Sequence, residues 1–519
     1  MKKVEIYDTT LRDGAQGESV YFTLNDKLKI AEKLDEFGID FIEGGWPGSN
    51  PKDIAFFKKV RHKKFKNVKI VAFGSTRRKN LTADKDPFLK QLIESGTEYI
   101  TIFGKSWDLH VKDVLKISLD ENLKLIEDSI KFLKSKGRYV FFDAEHFFDG
   151  YKKNPAYAFK TLIVAEDAGA DKIILCDTNG GSLPFEIEDI VKNISLKIKI
   201  PIGIHAHNDS GVGIANSIAA VKMGANHVQG TMNGIGERCG NADLSVIIPI
   251  LQLKMGYRCV DTDKLVHLTE VSRFIYEVAN IIPPNSQPFV GMSAFAHKGG
   301  VHVDAVNKNP ETYEHIDPAK VGNERRILIS ELSGKSTILQ KTKTYNLTKK
   351  PELIKKILDK IVNMENNGYQ FEAADASFDI IVRKTIGEYK KLFTVEGFRV
   401  IVEKRGNKVV SEATVKVKVD KYVEHTASEG NGPVNALDNA LRKALVKFYP
   451  EIEKIKLTDY RVRILHPEDA TAAITRVIIE SADETGSWGT IGVSENIIEA
   501  SLLALLDSIE YKLHKTRVK

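Results

Sequence analysis

Two hydrophobic periodicities alternate along the first 280 residues. Short, largely apolar runs at 4–7, 41–43, 69–73, 99–103, 139–143, 172–176, 202–205 and 227–229 are too brief for helices and read as strands. Between them lie stretches in which apolar residues return every three or four positions. In 24–37 that stripe is Leu24, Leu28, Ala31, Leu34 and Phe37, and Gly38 supplies a stop. In 119–134 it is Leu123, Ile126, Ile130 and Leu133. Glycine again follows helical stretches at Gly96, Gly137, Gly169 and Gly224. Strands alternating with helices imply a parallel sheet with crossover helices. Eight such units predict an α/β fold, a (β/α)8 TIM barrel.

The alternation breaks at Ile281-Ile282-Pro283-Pro284, a proline-rich exit from the barrel. Residues 281–370 read as a linker with small helical subdomains, helical around Leu339 and over 353–364. The linker also carries His297, His302 and Tyr313. Beyond 370 the pattern turns to strands at 378–382, 392–402 and 409–419. Gly430-Asn431-Gly432-Pro433 then opens a helix with Val434, Leu437, Leu441, Leu445 and Phe448 on one face. Strands at 460–465, 474–481 and 488–493 and a helix at 497–513 repeat the plan. The expected organisation is a barrel over 1–280, a linker over 281–370, and an α+β domain over 371–519 with a repeated strand-strand-strand-helix unit. The N–H groups at 430–433 either cup a carboxylate or simply begin the helix.

Composition narrows the class. A chain of 519 residues with 42% hydrophobic content holds two or three domains with ample core. No apolar run is long enough to span a bilayer, and the chain begins directly on a strand pattern, so no signal peptide is expected. Cys176, Cys239 and Cys259 fall at no metal-binding spacing and make no disulfide framework, which fits a reducing cytoplasm. The 76 basic and 70 acidic residues leave a net charge of only +6, too even for a nucleic-acid binder. The run His62-Lys63-Lys64-Phe65-Lys66 reads as a solvated helix end. Neither nucleic acid nor membrane is expected as a partner.

A barrel of this kind carries its active site at the C-terminal ends of its strands. Here those ends are unusually polar. After the seventh strand comes His205-Ala206-His207-Asn208-Asp209. Residues two apart on a strand share a face, so the two imidazoles project together. They either share a metal or make ordinary core hydrogen bonds. Two further stretches bear on the choice: Thr9-Thr10-Leu11-Arg12-Asp13-Gly14 after the first strand, and the glycine-rich loop from Gly234 to Ala242, with Glu237, Arg238 and Asn241, after the eighth. Asp13, His205, His207 and Asn241 together supply oxygen and nitrogen donors for one divalent ion. The histidines suit zinc, and the oxygens suit magnesium or manganese.

The motifs Thr-Leu-Arg-Asp-Gly at 10–14, His-Ala-His-Asn-Asp at 205–209 and Gly-x-Gly-Glu-Arg-x-Gly-Asn-Ala at 234–242 resemble those of a family of metal-dependent barrel enzymes. It is the acyl-CoA-condensing branch that includes isopropylmalate, homocitrate and citramalate synthases. The resemblance covers nearly the whole chain. It implies a Claisen-type addition of acetyl-CoA to a 2-oxo acid with hydrolysis of the thioester, an acyl transfer in which the acyl group becomes alkyl. It implies that Arg12 faces the ketone oxygen, although a structural salt bridge is the plainer role for that residue. It places Thr178 and Gln16 at the substrate, and Glu145 where it orients acetyl-CoA or assists proton transfer. As base it implies a linker histidine reaching the partner subunit's barrel, with a tyrosine beside it. His302 and Tyr313 match those positions, and His297 competes with His302. A homodimer is therefore expected, with a C-terminal domain that binds an amino-acid end product.

One departure bears on the substrate. Isopropylmalate synthases carry an acidic residue directly after the first motif's glycine, whereas this chain has Ala15 and then Gln16. That favours the citramalate type, whose oxo acid is pyruvate and whose expected inhibitor is isoleucine. The alternatives are isopropylmalate or homocitrate synthesis, a carbon–carbon lyase on the same barrel, and a catalytically silent amino-acid sensor.

Overall fold

The computed structural model describes residues 1–328, 345, 347, 350–465 and 473–517. The helical pattern expected around Leu339 lies outside the described residues. The eight expected strands are present as β1 (Glu5–Asp8), β2 (Phe41–Gly45), β3 (Lys69–Ser75), β4 (Tyr99–Lys105), β5 (Tyr139–Glu145), β6 (Lys172–Asp177), β7 (Ile202–Ala206) and β8 (His227–Gly230). They close into a barrel in sequence order, every neighbouring pair parallel, with β8 returning to β1.

The alternation of side chains along each strand divides the barrel into an inside and an outside. Ile6, Ile42, Ala72, Ile100, Phe142, Leu175, Ile204 and Val228 face outward into a core shared with the helices. Tyr7, Phe41, Val71, Phe141, Ile174 and Cys176 form a separate core inside the barrel. The helix Leu24–Phe37 begins with a capping box between Thr23 and Asp26, and Gly38 ends it at φ 94°.

The inward residues at the N-terminal ends of β1, β6 and β8 are Glu5, Lys172 and His227. Lys172 pairs with Glu5 and its ammonium donates to His227 Nδ1 at 3.1 Å. Burial and then the Lys172 charge push the His227 imidazole down to about 3, against the pull of Glu5. A buried neutral imidazole gives stability that is fully present above the ordinary histidine value of about 6.5 and is lost as pH falls towards the folded-state value, a span worth roughly 5 kcal/mol. In the variant His227→Gln, the drop in thermal midpoint between pH 7 and pH 5 is expected to shrink. An unchanged drop would show that His227 carries no share of the acid sensitivity.

The chain forms two compact units, Met1–Phe295 with Ile316–Glu324, and Ala296–His315 with Arg325–Lys519. The second unit contains helices Gly300–Lys308, Pro351–Asn366 and Asp375–Ile386. An antiparallel sheet of Thr394–Arg405, Lys408–Val419 and Tyr422–Gly430 follows, with helix Pro433–Leu445. The unit then repeats as Lys456–Ile464, Thr475–Asp483 and Gly486–Ser494 with helix Ile497–Arg517. The strand-strand-strand-helix repeat is therefore present, but the strand expected at 378–382 is wrong. That segment is helical: Phe378, Ile381 and Val382 are buried at helical spacing, Arg383 pairs with Asp379 one turn earlier at 2.7 Å, and Gly387 ends the helix at φ 84°. The first repeat takes its third strand from Tyr422–Gly430 instead. At the glycine-rich turn, the Asn431 N–H is already used by Asn435 Oδ1 at 3.0 Å.

No helix of the described residues is long and apolar enough to cross a membrane. Cys176, Cys239 and Cys259 are unpaired.

Candidate active site

Three loops at the C-terminal ends of the strands build the site. After β1 the chain turns tightly, and the N–H groups of Arg12, Asp13 and Gly14 all donate to the Thr9 carbonyl, at 3.1, 2.8 and 3.1 Å. Asp8 pins this turn. Its carboxyl accepts from the Thr10 N–H at 3.0 Å, the Thr10 hydroxyl at 2.8 Å and the Met232 N–H at 3.3 Å, so the loops after β1 and β8 are held together. Burial pushes Asp8 up to about 7 in spite of these donors.

The loop after β8 folds back onto the end of β7. Asn241 N–H donates to the Gly234 carbonyl at 3.0 Å, Asn208 N–H to the Gly240 carbonyl at 2.9 Å, and Ala242 N–H to the Ala206 carbonyl at 2.9 Å. His207 and Asn241 thereby become bridge partners. Gly240 sits at φ +84°, and a Cβ there would lie 2.0 Å from the Gly234 carbonyl oxygen. The loop can deliver Asn241 to the histidines only with glycine at that point.

Asp13, His205 and His207 converge so that their donor atoms all lie within 4.8 Å of one another. His205 Nε2 is 3.4 Å from His207 Nε2 and 3.3 Å from Asp13 Oδ2, and His207 Nε2 is 4.0 Å from the same oxygen. All three side chains are buried. Burial pushes Asp13 up, but Arg12 and the two histidines outweigh it and hold the carboxylate well below its usual range. Burial lowers His207 to about 4, while Asp13 overcomes the burial of His205 and raises it. At neutral pH a neutral imidazole, a second imidazole and a carboxylate thus face one small volume. Two ring nitrogens and a carboxylate oxygen converging on one small volume are a good arrangement around a divalent ion. Asn241 adds to this fit. Its Nδ2 donates to Asp13 Oδ2 at 3.1 Å, while its buried Oδ1 has no partner among the described residues. A half-turn of that amide presents the oxygen to the cluster.

Arg12 lies at the edge of the cluster, with Nη1 3.4 Å from Asp13 Oδ2. Its Nε pairs with Glu43, and its guanidinium lies 3.9 Å above the Phe73 ring. Asp13 and Glu43 keep it charged in spite of burial. A cavity of about 250 Å³ opens in front of these groups, and Gln16, Glu145 and Thr178 also line it. Gln16 Oε1 is 3.4 Å from Arg12 Nη1. Glu145 pairs with Lys105. Thr178 Oγ1 accepts the His146 N–H at 2.9 Å, which leaves its own proton free to be donated.

The two linker residues lie in the second compact unit. His302 and Tyr313 are both exposed, and their rings meet with centroids 4.3 Å apart. His297 differs: it is held by Glu314 at 3.2 Å, and Glu314 also takes two bonds from Arg325 at 2.6 Å.

Several residues at the site went unassigned in the sequence. Glu43 bonds both Arg12 and, at 2.6 Å, the Tyr7 hydroxyl. Trp46, Phe73 and Phe103 give the cavity an aromatic wall. Asp143 and Gln229 lie inside the barrel beside His205. Strand alternation carried a signal for them: Glu43 is two residues past the inward Phe41, Asp143 two past Phe141, and Gln229 two past His227.

A closed barrel with a buried carboxylate–imidazole cluster and a fixed guanidinium at its C-terminal mouth defines the class of metal-dependent barrel enzymes. The HMGL-like family model matches residues 3–275, the homocitrate synthase post-HMGL domain-like model residues 289–369, and the LeuA allosteric (dimerisation) domain model residues 372–513. An (R)-citramalate synthase of Geobacter sulfurreducens is 57% identical over 99% of this chain and 98% of that protein. An (R)-citramalate synthase of Aquifex aeolicus is 54% identical with the same coverage of both chains, 99% and 98%. A 2-isopropylmalate synthase of Methanocaldococcus jannaschii is 32% identical over 99% of this chain and 95% of that protein. The chain belongs to the HMGL-like family, in the branch that holds the (R)-citramalate synthases.

Proposed function

We propose that this chain is an (R)-citramalate synthase that joins the acetyl methyl carbon of acetyl-CoA to the ketone carbon of pyruvate. Water then cleaves the thioester, giving citramalate and CoA. The observation that carries this reading is the convergence of Asp13, His205, His207 and Arg12 on one small cavity, in a chain that matches such synthases from end to end.

Asp13, His205, His207 and Asn241 would hold a divalent ion, which would supply Lewis-acid polarisation of the oxo acid's ketone, and the donor set suits magnesium, manganese or zinc. The other roles belong to the chain itself. Arg12, fixed by Glu43, offers N–H donors to the oxygen that becomes the alkoxide. Thr178 donates its free hydroxyl proton to the substrate carboxylate, and Gln16 stands beside Arg12 at the same cavity. The aromatic wall of Trp46, Phe73 and Phe103 keeps water from the carbanion equivalent and leaves room for a methyl group. Glu145, neutralised by Lys105, orients the acetyl thioester. His302, with Tyr313 against it, is the base that takes the methyl proton.

The functional division follows the chain: catalysis from 1–280, a base-bearing linker over 281–370, and regulation from 371–519. We take the working assembly to be a homodimer and the C-terminal domain to bind isoleucine as feedback inhibitor.

The test is CoA release, followed with a thiol reagent, from acetyl-CoA with pyruvate, 2-oxoisovalerate or 2-oxoglutarate. Preference for pyruvate is expected, with inhibition by isoleucine. Preference for 2-oxoisovalerate or 2-oxoglutarate would move the enzyme to isopropylmalate or homocitrate synthesis. No release with any of the three by metal-loaded protein would sink the synthase reading.

A further inference from the structure

His205 makes a second contact, on the side of its ring away from Asp13 and His207. Its Nδ1 is 2.9 Å from Gln229 Oε1, and both side chains are buried. Gln229 Nε2 in turn donates to Asp143 Oδ1 at 3.2 Å. The three residues come from three strands: Asp143 from β5, His205 from β7 and Gln229 from β8. The register sets His205 directly beside Gln229, so the bond is made by the closed sheet and not by a loop.

The direction of this chain of bonds has a chemical consequence. An amide has one end that donates and one that accepts. The Asp143 carboxyl oxygen takes the Gln229 N–H, so the Gln229 oxygen is the end that faces His205. An amide oxygen can only accept, so His205 must carry its proton on Nδ1. A neutral imidazole with its proton on Nδ1 has its lone pair on Nε2, the nitrogen directed at Asp13 and His207. With the proton on the other nitrogen, His205 would be blocked as a ligand there.

We propose that Gln229, oriented by Asp143, is a positioning residue that fixes the tautomer and ring angle of His205 for metal binding. It rests on the reading of Asp13, His205 and His207 as a divalent-metal site. Outer partners of this kind, which hold the far nitrogen of a ligating histidine, typically change metal affinity by about 10–100-fold when removed. Gln229→Met keeps the length and volume of the side chain but replaces the amide oxygen with a thioether sulfur, a weak hydrogen-bond acceptor. Gln229→Glu keeps the acceptor.

The test is a calorimetric titration of metal-free protein with Mn²⁺ or Zn²⁺. Gln229→Met is expected to raise the metal Kd by at least about tenfold while the thermal midpoint of the metal-free protein stays near that of the parent. Gln229→Glu is expected to bind metal more tightly than Gln229→Met, because the oxygen that accepts from His205 remains even though the bond to Asp143 is lost. If Gln229 served only as filling, Gln229→Glu would do at least as much harm as Gln229→Met, and that result overturns the proposal. So does a Gln229→Met protein that binds metal as tightly as the parent. A parent protein that binds no divalent ion would instead overturn the metal-site reading itself. If Gln229→Met does not fold, the parent still decides: ¹⁵N spectra of histidine-labelled, metal-free protein at alkaline pH should place the His205 proton on Nδ1, and a proton on Nε2 refutes the assignment.

Discussion

Replacing Arg12 with lysine is expected to lower kcat by roughly 10²–10³-fold, the usual cost of removing one fixed donor from a developing oxyanion. The charge is kept, so the loss must come from geometry. Arg12 does three things at once: its Nε pairs with Glu43, its Nη1 lies 3.4 Å from Asp13 Oδ2, and its plane rests 3.9 Å above Phe73. A guanidinium can do this because its donors form a rigid planar fork. A lysine ammonium is a point charge on a flexible stem. It can pair with Glu43 or reach the cavity, but it cannot keep both contacts and lie flat on the ring. The alkoxide appears only as the reaction proceeds, so the loss should fall mainly on kcat, with a smaller change in KM for pyruvate. Metal affinity should stay within a few-fold, since no donor atom is removed. Steady-state kinetics with a parallel metal titration check this. Activity within tenfold of the parent would return Arg12 to a structural salt bridge.

The parts of the site that were readable in the sequence are those fixed by local geometry. His205 and His207 share a face because a strand repeats every two residues, and Gly38 ends its helix because a left-handed position favours glycine. The partners of these residues were not readable in the same way. Glu43 is 31 residues from Arg12, and Gln229 is 86 from Asp143. Alternation says that each of them points into the barrel. Only closure of the sheet, with its particular register, says which of them touch. The error at 378–382 has a different origin. Its apolar residues satisfy a helical spacing as well as a short strand, and the helix is marked by flanking signals, Asp379 paired with Arg383 and Gly387 at the end. The strand Tyr422–Gly430 was hidden for the opposite reason: none of its residues is fully buried, so its alternation is of small and polar side chains and carries little hydrophobic contrast.

The histidine proposed to take the methyl proton leads to the second large effect. His302→Ala should lower kcat by about 10²–10⁴-fold, the range for loss of a general base, with metal affinity unchanged. His302 is well suited to the task, since it is exposed and makes no carboxylate pair among the described residues, with the Tyr313 ring tilted against it at 4.3 Å. His297 is tied to Glu314, which also holds Arg325, so His297→Ala should act through stability and not through the chemistry. If the base serves the partner subunit's barrel, two inactive variants can complement each other. A dimer of one Asp13→Asn chain and one His302→Ala chain has a barrel with intact Asp13, served by an intact His302 from the other chain. Its second site lacks both. Random exchange of equal amounts makes half the dimers mixed, and each mixed dimer has one competent site of two, so about one quarter of the parent activity should return. Action within one chain predicts no return at all, because every barrel then lacks either its ligand or its base. Mixed dimers purified by two different affinity tags, and assayed for CoA release, separate the outcomes: about half the parent activity for a base acting across subunits, none for one acting within its own chain. Silent mixed dimers would place the base in the same chain as the metal, and a fully active His302→Ala protein would remove His302 from the chemistry.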